Sequence, residues 1–254
     1  VEVLRVLRAA KALCSVADNS GHTLLQLAID EQRVGAAQVL ANVTDDDGNT
    51  ALAVAARKGD EHQVKLLLTA KAATDRANVD SKTPLVLAIE HGHMGVAQIL
   101  VNAGADVDVA DPRIGATILM TAASNGHADL MHSLIAVKAN VKATDNTHKS
   151  AIHYAAVNNE SHAVRILLDA NANVNAQDRD GLTALAAAAV HGHADPLRAL
   201  LADGASVDVL DKHGQTALML TTDAACAQAL IDAGAQLDVC DAHGDTALSL
   251  AAAQ

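Results

Sequence analysis

The sequence predicts an all-α repeat protein, built from stacked helix–turn–helix units that each need a neighbour to bury their apolar face. Three observations predict it. A short marker, Thr or Ser two residues before Leu or Ile, recurs at a near-constant step. Turn-forming residues recur at fixed offsets before that marker. The apolar half of the 254 residues contains no Trp, no Phe and a single Tyr, Tyr154, so the core must come from Ala, Leu, Val and Ile. Small side chains of this kind favour helices in close contact.

The marker stands at residues 23, 50, 83, 117, 150, 183, 216 and 246, in steps of 27, 33, 34, 33, 33, 33 and 30. Each unit opens on a turn. Asp18, Asp45, Asp145, Asp178, Asp211 and Asp241 lie five residues before a marker. Gly stands two before it at 21, 48, 115, 181, 214 and 244, with Ser81 and His148 as exceptions. Asp closes a local side-chain bond and Gly accepts positive φ, which is turn chemistry. A first helix follows. Leu25, Leu52, Leu85, Leu119, Ile152, Leu185, Leu218 and Leu248 lie two after the marker; Ala28, Ala55, Ala88, Ala122, Ala155, Ala188, Thr221 and Ala251 lie five after it. Columns three apart share one helical face. Gly59, Gly92, Gly126 and Gly192, nine after the marker, end that helix. A second helix carries VKLLL at 64–68, VAQIL at 96–100, VRILL at 164–168 and LRALL at 197–201, and several units close on Gly-Ala.

A 33-residue unit reading TPLxLA, then GH, then LL..GA.V resembles the ankyrin repeat, with TPLVLAIEHGH at 83–93 and ILVNAGADVD at 99–108 the nearest matches. The resemblance covers essentially the whole chain. It implies an ankyrin-repeat solenoid over residues 1–254: about seven full or near-full repeats with partial units at both ends, and β-turn fingers at about a right angle to the helices. It also implies a protein or peptide bound along a concave groove of fingers and first helices. Val1 to Ala10 match a second-helix run and the chain stops after a first helix, so a segment of a longer protein is expected.

The irregular steps carry their own expectations. Asp45 follows closely on AAQVLANV, so the finger before marker 50 should be missing or contracted. The extra residue in DPRIG should make Pro112 and Arg113 bulge. The step of 30 lacks Gly-His, and Asp223 is expected to cap a second helix that starts early.

The triplet HGH, at 91–93 and 191–193, invites a metal reading. Its place in the repeat favours a Gly helix stop followed by a His that hydrogen-bonds locally, because the two triplets lie about three repeats apart and metal ligands must converge. Tyr154 falls in the column of Leu27, Val54, Leu87, Thr121, Ala187, Leu220 and Leu250, and is expected in the core between small neighbours. Asp45, Asp46 and Asp47 are read as a solvated turn. No nucleophile elbow, phosphate loop or zinc spacing appears, so neither catalysis nor a cofactor is expected.

The net charge of −12 argues against nucleic acid, which asks for a clustered basic surface. No apolar run approaches the ~20 residues of a spanning helix. Three cysteines without a CxxC suit a reducing, cytoplasmic setting, and a monomer is expected. Partner-contacting residues should be those that vary between units while their neighbours repeat. At the ends of first helices these are Asp30, Glu31, Arg57, Lys58, Glu90, His91, Ser124, Asn125, Val157, Asn158, Val190 and His191. On the fingers they are Asn19, Ser20, Asp46, Asp47, Asp80, Arg113, Asn146, Arg179, Lys212 and His213. Their acidic members suggest a basic or mixed-charge partner in the N-terminal half. The competing expectation is a regulatory or substrate-recruiting arm of a larger enzyme or channel. Asn175, seven residues after Leu168, resembles the asparagine that asparaginyl hydroxylases modify in ankyrin repeats; its simpler role is to hydrogen-bond its own turn.

Overall fold

The computed structural model describes residues 37–38, 41–42 and 44–252. The chain divides into two compact units, Val1–Val107 and Asp108–Gln254. The described part of the first holds α1 (Ala51–Lys58), α2 (Glu61–Thr69), α3 (Pro84–Glu90) and α4 (Met94–Asn102). The second holds α5 (Ile118–Ser124), α6 (Ala128–Ala136), α7 (Ala151–Val157), α8 (Ser161–Asp169), α9 (Ala184–Val190), α10 (Ala194–Ala202), α11 (Ala217–Leu220), α12 (Ala224–Asp232) and α13 (Ala247–Ala252). Among the described residues the only extended pairings are single antiparallel bridges at finger bases, Thr44–Thr50, Ala110–Thr117, Thr144–Ser150 and Gln177–Thr183. The fold is all-α, as expected.

The marker Thr starts each first helix for a local reason. Its extended backbone leaves the side-chain oxygen free to accept an orphan N–H of the first turn: Thr50 from Ala53, Thr83 from Val86, Thr183 from Ala186. The helix stops nine residues on. Gly59 sits at φ 74° and a Cβ there would lie 2.5 Å from His93 Nδ1, so both the backbone and the neighbouring ring require glycine. The first helices then stack on one another. In the first unit α1 packs on α3; in the second α7 packs on α5 and α9, and α9 on α11. The second helices follow, α8 lying between α6 and α10. Leu52, Leu85, Leu119, Ile152 and Leu185 are buried, as are Ala55, Ala88, Ala122, Ala155 and Ala188.

The irregular steps are absorbed locally. In the regular fingers the Gly N–H bonds back three residues, Gly181 to Asp178 O and Gly214 to Asp211 O. With the extra residue, Gly115 N–H reaches four back to Asp111 O at 2.7 Å, and Ile114 is left 53% exposed. The step of 30 shortens the first helix, not the second. Helix α11 has four residues and ends at extended Thr221, which therefore does not continue the alanine column. Asp223 accepts from Cys226 N–H at 2.8 Å and caps a full nine-residue α12. The contraction expected before marker 50 falls between the second helix and the finger base: Ala41 is still helical and the bridge residue is Thr44, where a regular unit runs from helix end Asp169 to bridge residue Gln177. The turn itself is kept, with the Thr44–Thr50 bridge and Asp45 Oδ1 accepting from Asp47 and Asn49 N–H. The rest of the first short repeat lies outside the described residues.

Two outcomes check this register. Leu185 is 1% exposed and Val190 42%. Leu185→Ala should cost about 2–5 kcal/mol, and Val190→Ala well under about 1 kcal/mol, by chemical denaturation; equal losses would mean the faces are assigned wrongly. Lys138 sits at φ 67° where Gly104, Gly204 and Gly234 occupy the equivalent place. Lys138→Gly should raise stability by about 0.5–1 kcal/mol, since a side chain in the left-handed region is strained; a loss of stability would refute that account.

Candidate functional site

Most fingers are tied to their own turn by a carboxylate, and the finger before α3 by the Asn78 amide oxygen, which accepts from Asp80 and Lys82 N–H. Asp145, Asp178, Asp211 and Asp241 each accept two backbone N–H groups through Oδ1, from the residues two and four ahead. Fingers are then tied to one another by a backbone bond with one register. In the first unit Val79 N–H donates to Asp47 O at 3.0 Å. In the second, Asn146 donates to Ile114, Arg179 to Thr147, Lys212 to Asp180 and Ala242 to His213, all within 2.8–3.0 Å. Fingertip side chains thus stand on backbone held in place by hydrogen bonds.

Asp46, Asp47, Asp80, Arg113, Asn146, Arg179, Lys212 and His213 are all exposed. Three also bridge neighbouring fingers. Asn146 Nδ2 donates to Arg113 O, Arg179 Nη2 donates to Asn146 O, and Lys212 pairs with Asp180. Of the helix-end candidates, Arg57, Lys58, Glu90, His91, Asn125, Asn158, Val190 and His191 are exposed, and Ser124 and Val157 half-buried. Glu90 pairs with Lys82 at 2.7 Å, and Asn158 Nδ2 donates to Ser124 Oγ. Asn19, Ser20, Asp30 and Glu31 lie outside the described residues.

The histidine triplets have a structural role wider than expected. His93 Nε2 bonds Arg57 O at 3.1 Å and His193 Nε2 bonds Val157 O at 3.0 Å, each in the preceding repeat and not locally. The partner rings stack on them, His91 on His93 at 6.4 Å and His191 on His193 at 5.8 Å. Among the described residues no three His, Cys, Asp or Glu side chains come together as a metal set.

The second unit contains a cleft of about 420 Å³ between the fingers before α5 and α7 and the ends of those two helices. Arg113, Ile114, Asn146, Thr147 and Lys149 line it from the fingers; Ser124, Tyr154, Val157 and Asn158 from the helices. Five sequence candidates meet here: Arg113, Ser124, Asn146, Val157 and Asn158. Tyr154 is the correction. It is half-buried and lines the cleft, with its hydroxyl donating to Asp145 Oδ2 at 2.7 Å. Burial, then the Asp145 bond and charge, push the phenol up to about 12. Burial alone would raise the Asp145 carboxyl, but donors from Tyr154, Thr147 and the Lys149 backbone outweigh it and hold the group below the usual carboxylate range.

Beneath the cleft lies His153, 1% exposed, which the sequence reading did not single out. Its Nδ1 accepts from Ser150 N–H and its Nε2 bonds Leu182 O in the next repeat. The available signal was its place in SAIHYAA, three residues after the marker Ser, where a side chain can reach back to the helix start. Asn175 also acts between repeats, not within its own turn: its Oδ1 accepts from Ser206 N–H at 2.8 Å. Asp75 does the same for Asp106 in the first unit, and Asp108 for Asn140 and Asp208 for Gln236 in the second.

The family model for ankyrin repeats (three copies) matches residues 39–111, 119–211 and 170–238. The chain is 33% identical over 108 residues to the probable E3 ubiquitin-protein ligase XBOS33 of Oryza sativa subsp. japonica, covering 41% of this chain and 21% of that protein. It is 36% identical over 85 residues to the ankyrin repeat and KH domain-containing protein mask-1 of Caenorhabditis elegans, covering 34% and 3%. It is 37% identical over 107 residues to the human neurogenic locus notch homolog protein 1, covering 42% and 4%. The matches thus span about a fifth or less of the length of these relatives. Among the described residues no helix is long and apolar enough to cross a membrane.

The buried ring gives a pH test. Desolvation disfavours the charged imidazolium and pulls the His153 pKa below its ordinary value of 6.5, despite the Leu182 bond. A group depressed in the folded state contributes stability that is complete above its unfolded pKa and is lost as pH falls through its folded one. By NMR, His153 should titrate below the ordinary histidine value of 6.5. His153→Gln should flatten the loss of stability on acidification below about pH 6.5. A His153 titration at or above 6.5 would refute this.

Proposed function

Since the chain belongs to the ankyrin-repeat family, whose members are in general protein-interaction modules, we propose that it binds a partner protein or peptide through its fingertips and first-helix ends, within each compact unit. The observation that carries this reading is the division of labour inside the repeat. The Leu and Ala columns recur and are buried, while the columns of Arg57, Lys58, Glu90, His91, Asn125, Asn158, Val190 and His191 mix charged, polar and apolar residues and these eight face solvent. A frame held by repeated contacts, carrying side chains that differ between units, suits recognition. In the first unit the exposed set of Asp46, Asp47 and Asp80 with Arg57 and Lys58 suits a mixed-charge polypeptide. Hydroxylation of Asn175 enters this reading as an adjustment of the frame, because its amide oxygen is engaged by Ser206.

A second reading is favoured by the similarity to proteins named as probable E3 ubiquitin-protein ligases, of which the chain matches about a fifth. The repeats would then be a recruiting arm of a larger enzyme, using the same surface and adding no chemistry of their own.

Site-specific photo-crosslinking in the native cells tests the surface. A crosslinker at Asn146, Val190 or His191 should trap a partner polypeptide, and one at exposed Arg165 on the second helix α8 should trap far less. Equal or stronger trapping at Arg165 would overturn the choice of face. The full-length sequence around any trapped complex separates the two readings.

A further inference from the structure

The cleft beside Tyr154 has a chemistry that differs from the acidic balance of the chain. Its lining carries two cationic side chains, Arg113 and Lys149, and one carboxylate, Asp145. That carboxylate is engaged within the fold: Oδ1 accepts from Thr147 N–H, Thr147 Oγ1 and Lys149 N–H, and Oδ2 from the Tyr154 hydroxyl. Asp111, next to the cleft, is similarly committed through Oδ1 to the Arg113 and Ile114 N–H groups. Its Oδ2 meets the Arg113 guanidinium only at 3.7 Å, and the Arg113 side chain is 82% exposed. Thus the carboxylates here are satisfied internally, while the guanidinium, with five donors in a planar fork, keeps most of its capacity.

The remaining lining sets polar Ser124, Asn146, Thr147, His153 and Asn158 beside an apolar group. Ile114, lifted into solvent by the extra finger residue, faces the cleft with half-buried Val157 and the Tyr154 ring. An exposed aliphatic side chain beside a cationic lip is a poor fit to water and a good fit to an amphipathic segment.

We propose that this cleft docks an acidic peptide segment of a partner protein, with a carboxylate side chain on Arg113 and Lys149 and an adjacent large apolar side chain against Ile114, Val157 and Tyr154. This rests on the reading of the chain as an interaction module and adds the chemical class of the partner for this one site. Free hydrogen-bonding capacity selects the class. Asp111 and Asp145 keep their charge but commit most of their lone pairs to the fold. A lysine-rich segment would therefore find few free acceptors, whereas a carboxylate would meet the exposed Arg113 fork. The geometry also assigns the insertion in DPRIG a purpose, since the residues it displaces, Arg113 and Ile114, supply both halves of the recognition.

Selection of random short peptides displayed on phage against the whole protein provides the test, run in parallel on the Arg113→Gln/Lys149→Gln variant. The Arg113 side chain is 82% exposed and the hydrogen bonds of Arg113 and Lys149 run through their backbone groups, so the variant should keep the wild-type unfolding midpoint. The expected result is enrichment of sequences with Asp or Glu next to Leu, Ile or Phe. Enrichment should be lost on the double variant, with affinity for the best peptide down by about tenfold or more. That affinity should fall with rising salt, and Ile114→Ser should weaken it while keeping the acidic preference. Enrichment of Lys or Arg sequences, unchanged selection on the double variant, or no enrichment at all would overturn the proposal. If the fingertip crosslinks described above still trap a partner in that event, the module reading stands and only the acidic assignment falls; if they also fail, both fall.

Discussion

Everything in this fold depends on one repeat meeting the next at the same offset. A single helix pair cannot bury its own apolar face, and here it has no aromatic bulk with which to try. Burial comes from columns: Leu52 and Leu85 in the first unit, then Leu119, Ile152 and Leu185 in the second, with alanines a turn away. Alanine at that place lets neighbouring first helices approach closely, and the approach sets the translation. Once it is set, fingertip N–H and C=O groups fall into register, and the bond from Asn146 to Ile114 has counterparts from Arg179 to Thr147 and from Lys212 to Asp180.

The same constraint explains where the chain can be irregular. A step of 34 or 30 must leave the stacking contacts alone. The extra residue is therefore accommodated in a fingertip, where the turn from Asp111 to Gly115 lengthens from three residues to four. The three missing residues are removed from the end of a first helix, where α11 stops at Leu220 and Asp223 restarts the chain at once. The cleft arises from two such tolerances meeting. The long fingertip projects Arg113 and Ile114, and the one large ring in the chain, Tyr154, occupies a place held by small residues on either side, Thr121 and Ala187.

Much of the fold was legible because a repeat displays each structural rule several times over. The marker and the Leu and Ala columns could each be checked against seven companions and the glycine stops against three, and Asp223 could be read as a cap because its neighbours were missing. What one sequence could not show was the third dimension of the repeat. His93, His193 and Asn175 were read as bonding locally, since their partners, Arg57, Val157 and Ser206, lie 31 to 36 residues away. Tyr154 was read as core because its column holds leucines. The column is half-buried at Val54, Thr121 and Leu220, and a phenol there can turn toward a finger carboxylate at Asp145. Of the candidate site, the exposed positions were legible from their variability, whereas the bonds Asn146, Arg179 and Lys212 make to neighbouring fingers were not.

Charge is the property for which composition misleads most. A net −12 suggests a surface waiting for cations. Yet a recurrent share of the acidic residues serves the backbone. Asp45, Asp145, Asp178, Asp211 and Asp241 each hold two turn N–H groups, and Asp75, Asp108 and Asp208 each hold one from the following finger. A carboxylate whose lone pairs accept such donors is a structural part of the turn, and its hydrogen-bonding capacity toward a partner is correspondingly reduced. Some cations share in that work, Arg179 and Lys212 bridging neighbouring fingers, but the Arg113 side chain, 82% exposed, does not, so a single cation can set the character of a site against the sign of the whole chain. At the fingertips it is therefore the hydrogen-bond ledger, and not the net charge, that separates Asp145 from Arg113: the one is turned inward by four donors, the other left outward with a single long contact.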